Sequence, residues 1–388
     1  MKVLYVLSGT TRFGGASKAF IHLIEGLIPK GVNIFVLCPD HNGIYEDLVS
    51  MGVSVKIAPV SFSEWPPYSS FTDILLFIPR LFYHGLRIII SYFVLLRWAE
   101  LVKPDIIHTN ISLVDIGFRV SRKLRIPHVW HLREYNNDGF CIAPSYKSFL
   151  HKLSSPFNYN IAITKGVYEY YSLRDLNSIV IYDGVLSVHD IRLSNEKKGY
   201  YLYAGRLEPS KGIEDCLEAF KLFVSKIKDN SVSLLVAGDS NSSSYMEWLK
   251  AKCEGYPVVF LGMRTDISDL MYYANAVIVP SYTEGFGFVS AESMFNGTLL
   301  VGRNTTGIKE QMDNGLCLVG REISLRFSNT QGLYQRLCEI HNNGLSYYRK
   351  MVIDSQDVVK SLYTKEVHSD KVFDYYNRIL AKWNEKID

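Results

Sequence analysis

The sequence predicts an α/β protein with two doubly wound domains, and three observations carry that prediction. Short, continuous apolar runs recur along the chain and alternate with segments of helical periodicity, a pattern typical of parallel sheets covered on both faces. About a dozen such runs are too many for one compact sheet of this kind. A length of 388 residues with 47% hydrophobic content is also enough to bury two cores.

The predicted strands divide evenly between the two halves of the chain. The first half contains Val3–Leu7, Val32–Leu37, Val53–Ile57, Asp105–His108, His128–Trp130 and Asn160–Ile163. The second half contains Tyr200–Ala204, Val232–Ala237, Val258–Leu261, Ala276–Val279, Leu299–Val301 and Leu316–Val319. Helices are predicted between them, as at Ala16–Leu27, Leu113–Leu124, Ile213–Ile227 and Asp266–Tyr273, and the pattern is mostly helical after Arg326. The polar segment Ser187–Lys198 is the predicted linker between domains 1–186 and 187–365.

Composition and the N-terminus exclude several classes of protein. A net charge of +3 is too small to indicate a nucleic-acid partner. The cysteines are scattered without C-x-x-C pairs, which favours reduced thiols in a cytoplasmic protein: Cys38, Cys141, Cys216, Cys253, Cys317 and Cys338. The apolar run of Met1–Leu7 is too short for a signal peptide and predicts a buried strand instead.

The segment Pro280–Met294 says most about function. It follows the predicted strand Ala276–Val279, and two glycines precede the helical pattern Phe288–Phe295. A strand, a glycine loop and a helix start in this order favour phosphate binding. Glu284 lies at the mouth of the loop and Glu292 lies about a turn into the helix. Such carboxylates suit a nucleotide sugar, and a general acid and base pair is the other interpretation.

A second loop, Gly205–Gly212, carries two cations between a strand and a helix. Arg206 follows the strand, and Lys211 stands at the start of the helix, where a cation opposes the helix dipole unless an anion joins it. The pair is therefore predicted to bind a diphosphate. The guanidinium would form two parallel hydrogen bonds with it, and the ammonium would act as a compact positive charge. Two solvated surface charges are the other interpretation.

Two further segments are weaker signals. Gly14 and Gly15 lie between the first strand and the first helix, where a ligand-binding loop and a plain turn fit equally well. His131 and Glu134 follow a strand of the first half, and a structural histidine is as good an interpretation as a functional one. The sequence contains no D-x-D triplet and no nucleotide-kinase, zinc-protease or serine-hydrolase motif.

Together these residues resemble the retaining glycosyltransferases of family 4, which have the GT-B fold. Glu284 and Glu292 resemble that family's E-x7-E motif, and Arg206 with Lys211 resembles its basic pair on the donor diphosphate. Other segments resemble the family in the same order along the chain: Gly14-Gly15-Ala16, His131, Phe260–Gly262, Asp269–Ala274 and Gly307–Glu310. The GT-B fold implies two Rossmann-like domains facing across a cleft, with a C-terminal helix, about residues 366–388, returning to the N-terminal domain.

The resemblance also implies a role for each site residue. Glu292 would hold the ribose, Glu284 and His131 would contact the transferred sugar, and Arg206 and Lys211 would neutralise the leaving diphosphate. The implied donor-binding residues of the glycine loops are Gly14, Gly15, Gly285, Phe286, Gly287 and Phe288. The implied reaction is transfer of a hexose or N-acetylhexosamine, with retention and without a metal or cofactor, from a UDP-sugar to a lipid-linked saccharide of a capsule or O-antigen.

Departures from the family pattern leave alternatives open. Thr306-Gly307 replaces a Gly-Gly pair near the sugar pocket, so the sequence does not identify the donor sugar. Asp183 and Asn275 also differ from the residues that the family often has. Two other functional interpretations stay open. One is a phosphorylase or epimerase with the same two-domain fold, and the other is a non-catalytic protein that binds a nucleotide sugar.

Phe71–Leu101 is unusually apolar and predicts a second kind of partner. Its longest apolar run, Ile88–Leu96, is shorter than the roughly 20 residues that span a bilayer. Arginines and aromatic residues punctuate the segment, as in helices that lie in a membrane interface. A long helix packed on the sheet is the other interpretation. The interface hypothesis predicts contact with the inner leaflet of the membrane.

Overall fold

The structure, a computed structural model, describes residues 1–12, 14–68, 70–135, 143–194, 196–228 and 231–387. It divides into two compact units: unit 1 contains Met1–Gly184 with Lys365–Asp388, and unit 2 contains Val185–Thr364. The chain therefore passes between the units after Gly184 and again after Thr364. The sequence-based boundaries were 186/187 and about 365/366.

Unit 1 is built on a seven-stranded parallel sheet. Its strands are β1 (Lys2–Val6), β2 (Asn33–Cys38), β3 (Ser54–Ile57), β4 (Ile106–Thr109), β5 (His128–Leu132), β6 (Asn158–Ala162) and β7 (Ser178–Val180). They lie in the order β3-β2-β1-β4-β5-β6-β7. The helices before the first crossing are α1 (Gly15–Leu27), α2 (Tyr45–Ser50), α3 (Phe71–Val102), α4 (Ile116–Leu124), α5 (Tyr146–Leu153) and α6 (Lys165–Tyr170).

Unit 2 has a six-stranded parallel sheet in the order β10-β9-β8-β11-β12-β13. The strands are β8 (Tyr200–Ala204), β9 (Ser233–Ala237), β10 (Val258–Gly262), β11 (Ala276–Val279), β12 (Leu299–Arg303) and β13 (Leu325–Phe327). The helices are α7 (Ile213–Ile227), α8 (Ser243–Lys252), α9 (Ile267–Tyr273), α10 (Phe288–Phe295), α11 (Thr306–Val319), α12 (Thr330–Asn343) and α13 (Arg349–Leu362). The chain then returns to unit 1 as α14 (Lys365–Ile387).

The sheet of unit 1 buries apolar side chains on both faces, as the continuous apolar strands predict. Tyr5, Phe20 and Tyr376 belong to a core formed with α1 and α14 on one face. Trp98 and Leu95 of α3 belong to the core on the other face. The predicted α/β class with two doubly wound sheets is confirmed by the two parallel sheets.

One predicted strand is wrong, and two strands were not predicted. Leu316–Val319 forms the last turn of α11, which ends at Gly320 with φ +72°. Leu316 and Leu318 are 43% and 53% exposed, so this apolar run lies on a helix surface and not in a sheet. Periodicity over four residues cannot separate a buried strand from a helix end. The strand at this edge is β13, and β7 was the other one missed.

The predicted linker, Ser187–Lys198, packs along unit 2 where the structure describes it. The guanidinium of Arg192 donates to Asn296 at 2.7 Å and to Asp269 at 2.8 Å. The backbone N–H of Lys198 donates to the Tyr273 carbonyl at 2.9 Å. The side chains are polar because they bind polar groups of unit 2, and the change of unit occurs earlier, after Gly184.

Helix α3 is one continuous helix of 32 residues, and most of it is exposed. Ser70 and Asp73 form a capping box at its start, and Lys103 ends it with φ +52°. The buried residues lie in its C-terminal half: Ser91, Leu95, Trp98 and Ala99. By length and composition the helix could cross a membrane. The helix is longer than the predicted apolar run because Arg80 and Arg87 interrupt the run but do not interrupt the helix.

Candidate active site

A glycine loop in unit 2 connects β11 to α10. All four residues of β11 are buried, and the chain leaves the strand at Pro280. Gly287 is the N-cap of α10, with φ +95°. A Cβ there would lie 2.8 Å from the Ser290 hydroxyl oxygen, so the position requires glycine. The predicted strand, glycine loop and helix therefore occur with the predicted bounds.

The start of α11 packs directly against this loop. The backbone N–H of Gly307 donates to the Glu284 carbonyl at 3.0 Å, and the N–H of Glu284 donates to the Thr306 hydroxyl at 2.9 Å. A Cβ on Gly307 would lie 2.6 Å and 2.7 Å from the carbonyl oxygens of Phe286 and Gly285. Thr306-Gly307 thus fixes the loop by close backbone contact, which accounts for glycine at the second position.

Gln311 holds the same loop from the next turn of α11. Its buried side-chain amide donates to the carbonyls of Phe286 and Gly287, at 2.8 Å and 3.0 Å. Its carbonyl oxygen accepts from the Ser290 hydroxyl at 2.7 Å. Sequence reasoning did not identify Gln311, although a polar residue on the apolar face of α11 was the available signal.

Glu284 and Lys211 form an ion pair. The Lys211 Nζ lies 2.7 Å from Glu284 Oε1, and the side chains are 21% and 22% exposed. Lys211 is held in place because Gly212, with φ +66°, packs so closely on the Pro280 carbonyl that a Cβ would overlap it. The N–H of Tyr282 also donates to the Ser210 carbonyl at 3.0 Å. The loops after β8 and β11, which are neighbouring strands, therefore form one surface.

Arg206 lies on the loop after β8, and Glu292 lies on α10. The Arg206 side chain is 67% exposed, and its guanidinium donates to Glu208 at 3.0 Å. Glu292 is the fifth residue of α10 and is half-buried. The structure thus brings Lys211 and Glu284 into contact, whereas Arg206 extends from the same loop as Lys211 toward solvent.

Gly14 and Gly15 belong to unit 1. Gly14 is the N-cap of α1, and Gly15 is the first residue of that helix. A Cβ on Gly14 would lie 3.2 Å from the Thr11 side chain. The backbone N–H of Gly14 donates to the Thr11 carbonyl at 3.4 Å, directly before the helix.

His131, at the end of β5, is fully buried in a polar cluster of unit 1. Arg133 forms an ion pair with Asp183 and donates to His131 Nδ1 at 3.3 Å. His368 of α14 accepts from the Gly184 N–H at 3.0 Å through its own Nδ1. The Nε2 atoms of His131 and His368 lie 3.8 Å and 4.0 Å from Asp183 Oδ1.

The cluster brings together a metal-ligand set, but its hydrogen bonds oppose metal binding. His131, Asp183 and His368 offer ligand atoms within 4.8 Å of one another. Burial and the Arg133 charge lower the pKa of both histidines well below the usual range, so both rings are neutral at pH 7. Each Nδ1 accepts a hydrogen bond, so each Nε2 carries the proton and cannot ligate in this tautomer.

Comparison with known proteins decides the family. Residues 13–172 match the family model described as Glycosyltransferase Family 4, and residues 187–322 match the model described as Glycosyl transferases group 1. The chain belongs to the family 4-type glycosyltransferases with the GT-B fold. The predicted family and fold are thereby confirmed.

Individual relatives of this glycosyltransferase are distant. It is 24% identical to an uncharacterised glycosyltransferase of Methanocaldococcus jannaschii over 62% of this chain and 66% of that protein. It is 31% identical to the capsular polysaccharide biosynthesis glycosyltransferase CapM of Staphylococcus aureus over 29% of this chain and 30% of that protein. The alignments thus span less than two thirds of each relative. The structure of Anabaena HepE in complex with UDP covers 97% of this chain and 100% of its own, with 18% identity and a TM-score of 0.76.

A second ion pair of the glycosyltransferase, also missed by sequence reasoning, supports the glycine loop. Arg303, at the end of β12, donates to the Pro280 carbonyl at 2.7 Å and pairs with Asp215 of α7. Asp215 also accepts from the Tyr282 and Thr330 hydroxyls, at 2.8 Å and 2.7 Å. Burial raises the pKa of Asp215, but these hydrogen bonds and the Arg303 charge outweigh it and lower that pKa. An ionised Asp215 therefore fixes the start of the loop.

Proposed function

We propose that the chain transfers a hexose or N-acetylhexosamine from a UDP-sugar to a lipid-linked saccharide in surface polysaccharide biosynthesis. The observation that supports a UDP-sugar as the donor is the Lys211–Glu284 ion pair, which lies beside the glycine loop and the start of α10. Solved structures of HepE with UDP, and with UDP-glucose, support UDP as the nucleotide. CapM, a capsular polysaccharide enzyme by name, supports the pathway.

The donor diphosphate is proposed to bind between Lys211 and the start of α10. The N-terminus of α10 carries a partial positive charge and backbone N–H groups that favour a phosphate. Lys211 supplies a full charge there, and Arg206 supplies a flexible fork from the same loop. Glu292, one turn further along α10, is the proposed ligand of the ribose hydroxyls.

Glu284 is proposed to accept hydrogen bonds from the transferred sugar. Its backbone is fixed on both sides by Thr306 and Gly307, so its carboxylate position is set by α11. The family resemblance assigns His131 a contact with the transferred sugar, but in unit 1 the His131 ring is fully buried against Arg133.

The proposed chemistry retains the anomeric configuration. The bond between the anomeric carbon and the phosphate oxygen breaks, and the acceptor hydroxyl attacks from the same face. The departing phosphate takes the acceptor proton. Negative charge grows on that phosphate, so preorganised donors such as Lys211 and the α10 N–H groups lower the barrier. No metal is proposed, because the sequence lacks a D-x-D triplet and two side-chain cations take the place of a divalent ion.

A thermal-shift panel tests the donor proposal. A ligand that binds only the native state raises the melting temperature, so we expect UDP and one UDP-sugar to raise it, and GDP-, ADP- and TDP-sugars to raise it less. The Glu292→Ala variant should lose most of the shift that the UDP-sugar causes, because Glu292 is the proposed ligand of the ribose hydroxyls. Absence of a shift with every nucleotide sugar would contradict the proposed function.

Helix α3 is the proposed membrane contact, at the cytoplasmic face of the membrane. Seven large apolar residues recur at helical spacing and are between 46% and 82% exposed: Phe71, Leu75, Ile78, Phe82, Leu86, Ile89 and Phe93. At 1.5 Å per residue this stripe is about 33 Å long. An exposed apolar stripe of this length is uncommon on a soluble protein and suits insertion into a lipid interface.

Contacts in the middle of α3 favour a helix lying in the interface over a helix crossing the bilayer. The His84 ring is hydrogen-bonded to the Ser61 hydroxyl at 2.8 Å, and Arg87 donates to the Val60 carbonyl at 3.2 Å. These bonds hold the polar side of α3 against unit 1, while the apolar stripe faces outward.

Liposome flotation tests the membrane proposal. We expect the chain to float with vesicles that contain anionic lipid, and Phe82→Glu to abolish flotation because a charge in the apolar layer is costly. The control is Leu176→Glu, since Leu176 is an 81% exposed apolar residue of unit 1 outside α3. Equal flotation of all three proteins would exclude docking through this stripe.

A further inference from the structure

Two cavities of unit 1 lie side by side between α3, α4 and α5. One, of about 510 Å³, is lined by four cations: Arg119, Arg122, Lys123 and Lys152. The other, of about 330 Å³, is lined mainly by apolar groups, including Trp65, Leu81 and Ile88. Arg119 and Pro144 line both cavities. A basic cavity thus adjoins an apolar one.

Among the described residues, the basic cavity is lined by four cations and by no carboxylate. Arg119, Arg122 and Lys123 are spaced i, i+3 and i+4, so like charges lie on one face of α4, which destabilises a helix. Lys152 reaches the same place from α5. Helix polarity favours Arg122 and Lys123 in the last turn of α4, whereas Arg119 and Lys152 pair with the carboxylate of Asp115.

A buried carboxylate fixes two of the cations. Asp115 accepts from Arg119 at 2.8 Å and from Lys152 at 2.7 Å. Its other oxygen accepts from the Ser63 hydroxyl at 2.8 Å. Burial raises the pKa of Asp115, but the Lys152 and Arg119 charges outweigh it and lower that pKa, so the carboxylate stays charged. Arg119 and Lys152 are therefore positioned, while Arg122 and Lys123 add exposed charge at the rim.

The apolar cavity lies under the polar side of α3. Trp65 closes it from the loop before the helix, with its indole N–H donating to the Pro144 carbonyl at 3.2 Å. Gly85 lines it, and a Cβ at Gly85 would meet no atom within 4 Å. Glu64 also lines it, and burial raises the pKa of that carboxyl, which favours its neutral form. The space beside Gly85 is therefore open, and a larger side chain at this position could occupy it.

We propose that the two cavities together bind a lipid-borne diphosphate: the phosphates contact the cations of α4 and α5, and the first part of the hydrocarbon chain enters the space beside Gly85. The ligand class is a prenyl-type diphosphate, the anchor of the lipid-linked acceptor. This inference rests on the proposed function, and it adds a second anion site to that of the donor. The apolar stripe of α3 would keep the rest of the chain in the membrane.

Isothermal titration of the full chain with geranyl diphosphate tests the site. Saturating UDP is present, so that the donor site does not take the probe. We expect binding that is at least about tenfold tighter than that of inorganic diphosphate, because a short hydrocarbon adds buried apolar area. Geraniol has no charge and cannot pair with the cations of α4 and α5. It should therefore bind at least about tenfold more weakly than geranyl diphosphate.

Two variants locate the ligand. Gly85→Leu should weaken geranyl diphosphate at least about tenfold by filling the apolar space, while leucine keeps the helix stable. The matched control Gly85→Ala leaves that space largely open and should keep the affinity. Arg122→Gln with Lys123→Gln should weaken both diphosphates about tenfold. Its control is Lys147→Gln, an exposed lysine at the start of α5 that does not line either cavity.

The outcomes separate this inference from the proposed function. If UDP binds but geranyl diphosphate binds no better than inorganic diphosphate, or if Gly85→Leu binds it normally, the lipid site is wrong and the donor proposal stands. If UDP does not bind, the proposed function fails. If Arg122→Gln with Lys123→Gln weakens flotation with anionic vesicles but leaves geranyl diphosphate binding unchanged, the two cations bind the headgroups of membrane lipids. That result also overturns the inference.

Discussion

Lys211 Nζ lies 2.7 Å from Glu284 Oε1, so a cation and a carboxylate from two different loops of the proposed donor site neutralise each other. The two loops follow β8 and β11, which are hydrogen-bonded neighbours in the sheet. A diphosphate bound at the proposed site would therefore compete with Glu284 for the ammonium group of Lys211. If so, replacing Glu284 and replacing Lys211 should have different effects on nucleotide binding and on sugar transfer.

Replacing the carboxylate should strengthen nucleotide binding while weakening catalysis. In Glu284→Gln the ammonium of Lys211 loses its charged partner, so we expect the Kd for UDP to fall about threefold, the scale of a partly exposed ion pair. The kcat for sugar transfer should fall at least about tenfold, because the sugar loses a charged acceptor. Titration calorimetry and initial rates measure the two effects. Weaker UDP binding in this variant would contradict the competition.

Glu292 and Lys211 should affect different kinetic constants. Glu292→Ala should raise the Kd for UDP at least about tenfold, because buried hydroxyl groups of the ribose lose a charged acceptor. Lys211→Ala should lower kcat about 100-fold, since it removes a preorganised charge on the leaving group.

The matched control for both variants is Lys250→Ala, an exposed lysine on α8. Comparing kcat and KM for each variant separates loss of binding from loss of transition-state stabilisation. Unchanged kinetics in both variants would remove the proposed site.

Gly307→Ala should disrupt the glycine loop without changing any side chain of the site. The added Cβ would lie 2.6 Å from the Phe286 carbonyl oxygen, so the loop or α11 must shift. We expect the variant to lose about 1–3 kcal/mol of stability, as overpacked sites do, and to bind UDP more weakly. The control is Gly332→Ala near the start of α12, where the nearest atom to a Cβ lies at 3.4 Å. Equal UDP affinity in both variants would show that the loop tolerates the shift.

Unit 1 should lose stability as the pH falls below about 6.5, the usual pKa of a histidine. Burial lowers the pKa of His128 to about 4 and holds those of His108, His131 and His368 well below the usual range. The unfolded chain therefore binds more protons than the folded chain below pH 6.5. The free energy of unfolding should fall between pH 7.5 and 5.5 by about 1 kcal/mol for each ring.

Two buried carboxyls partly oppose this trend. Burial raises the pKa of Glu134 and Asp183, so the folded chain gains protons there before the unfolded chain does. Urea unfolding followed by limited proteolysis reports on each unit separately. Unit 2 contains none of the four rings and serves as the internal control. The rings would not be neutral in the folded chain if the free energy of unfolding of unit 1 at pH 5.5 were equal to or higher than that at pH 7.5.

Chelation should leave sugar transfer intact. The proposed site neutralises the diphosphate with Lys211 and Arg206, and the histidines near Asp183 carry protons on the nitrogens that a metal would need. We expect the rate in EDTA to equal the rate in buffer, with less than about twofold change on adding Mn²⁺. Loss of activity in EDTA that Mn²⁺ restores would contradict a metal-free mechanism.

The sequence predicted those parts of the site that depend on neighbours in the chain. The bounds of β11 and α10 follow from a short apolar run, two glycines and a helical pattern, all within about twenty residues. The bounds of α7 were predicted for the same reason. The edge strands β7 and β13 were missed, because each has only three residues and shows no periodicity.

Contacts between distant residues were beyond the sequence. Lys211 and Glu284 are separated by 73 positions and Asp215 and Arg303 by 88, and the order of strands in the sheet brings each pair together. The buried state of His131 depends on α14, which returns from the end of the chain to supply His368. Pattern reasoning left a structural and a functional His131 equally plausible, since neither burial nor partners can be read locally.

The sequence by itself determined the class of fold, the family and the glycine loop with its two glutamates, because periodicity, turn residues and motif spacing are local properties of the chain. Only the tertiary structure decided that Glu284 pairs with Lys211, that Gln311 and Arg303 fix the loop, and that α3 exposes its apolar stripe. Those features depend on which strands are neighbours and on which helix faces find a partner, and both are set by packing of the whole unit.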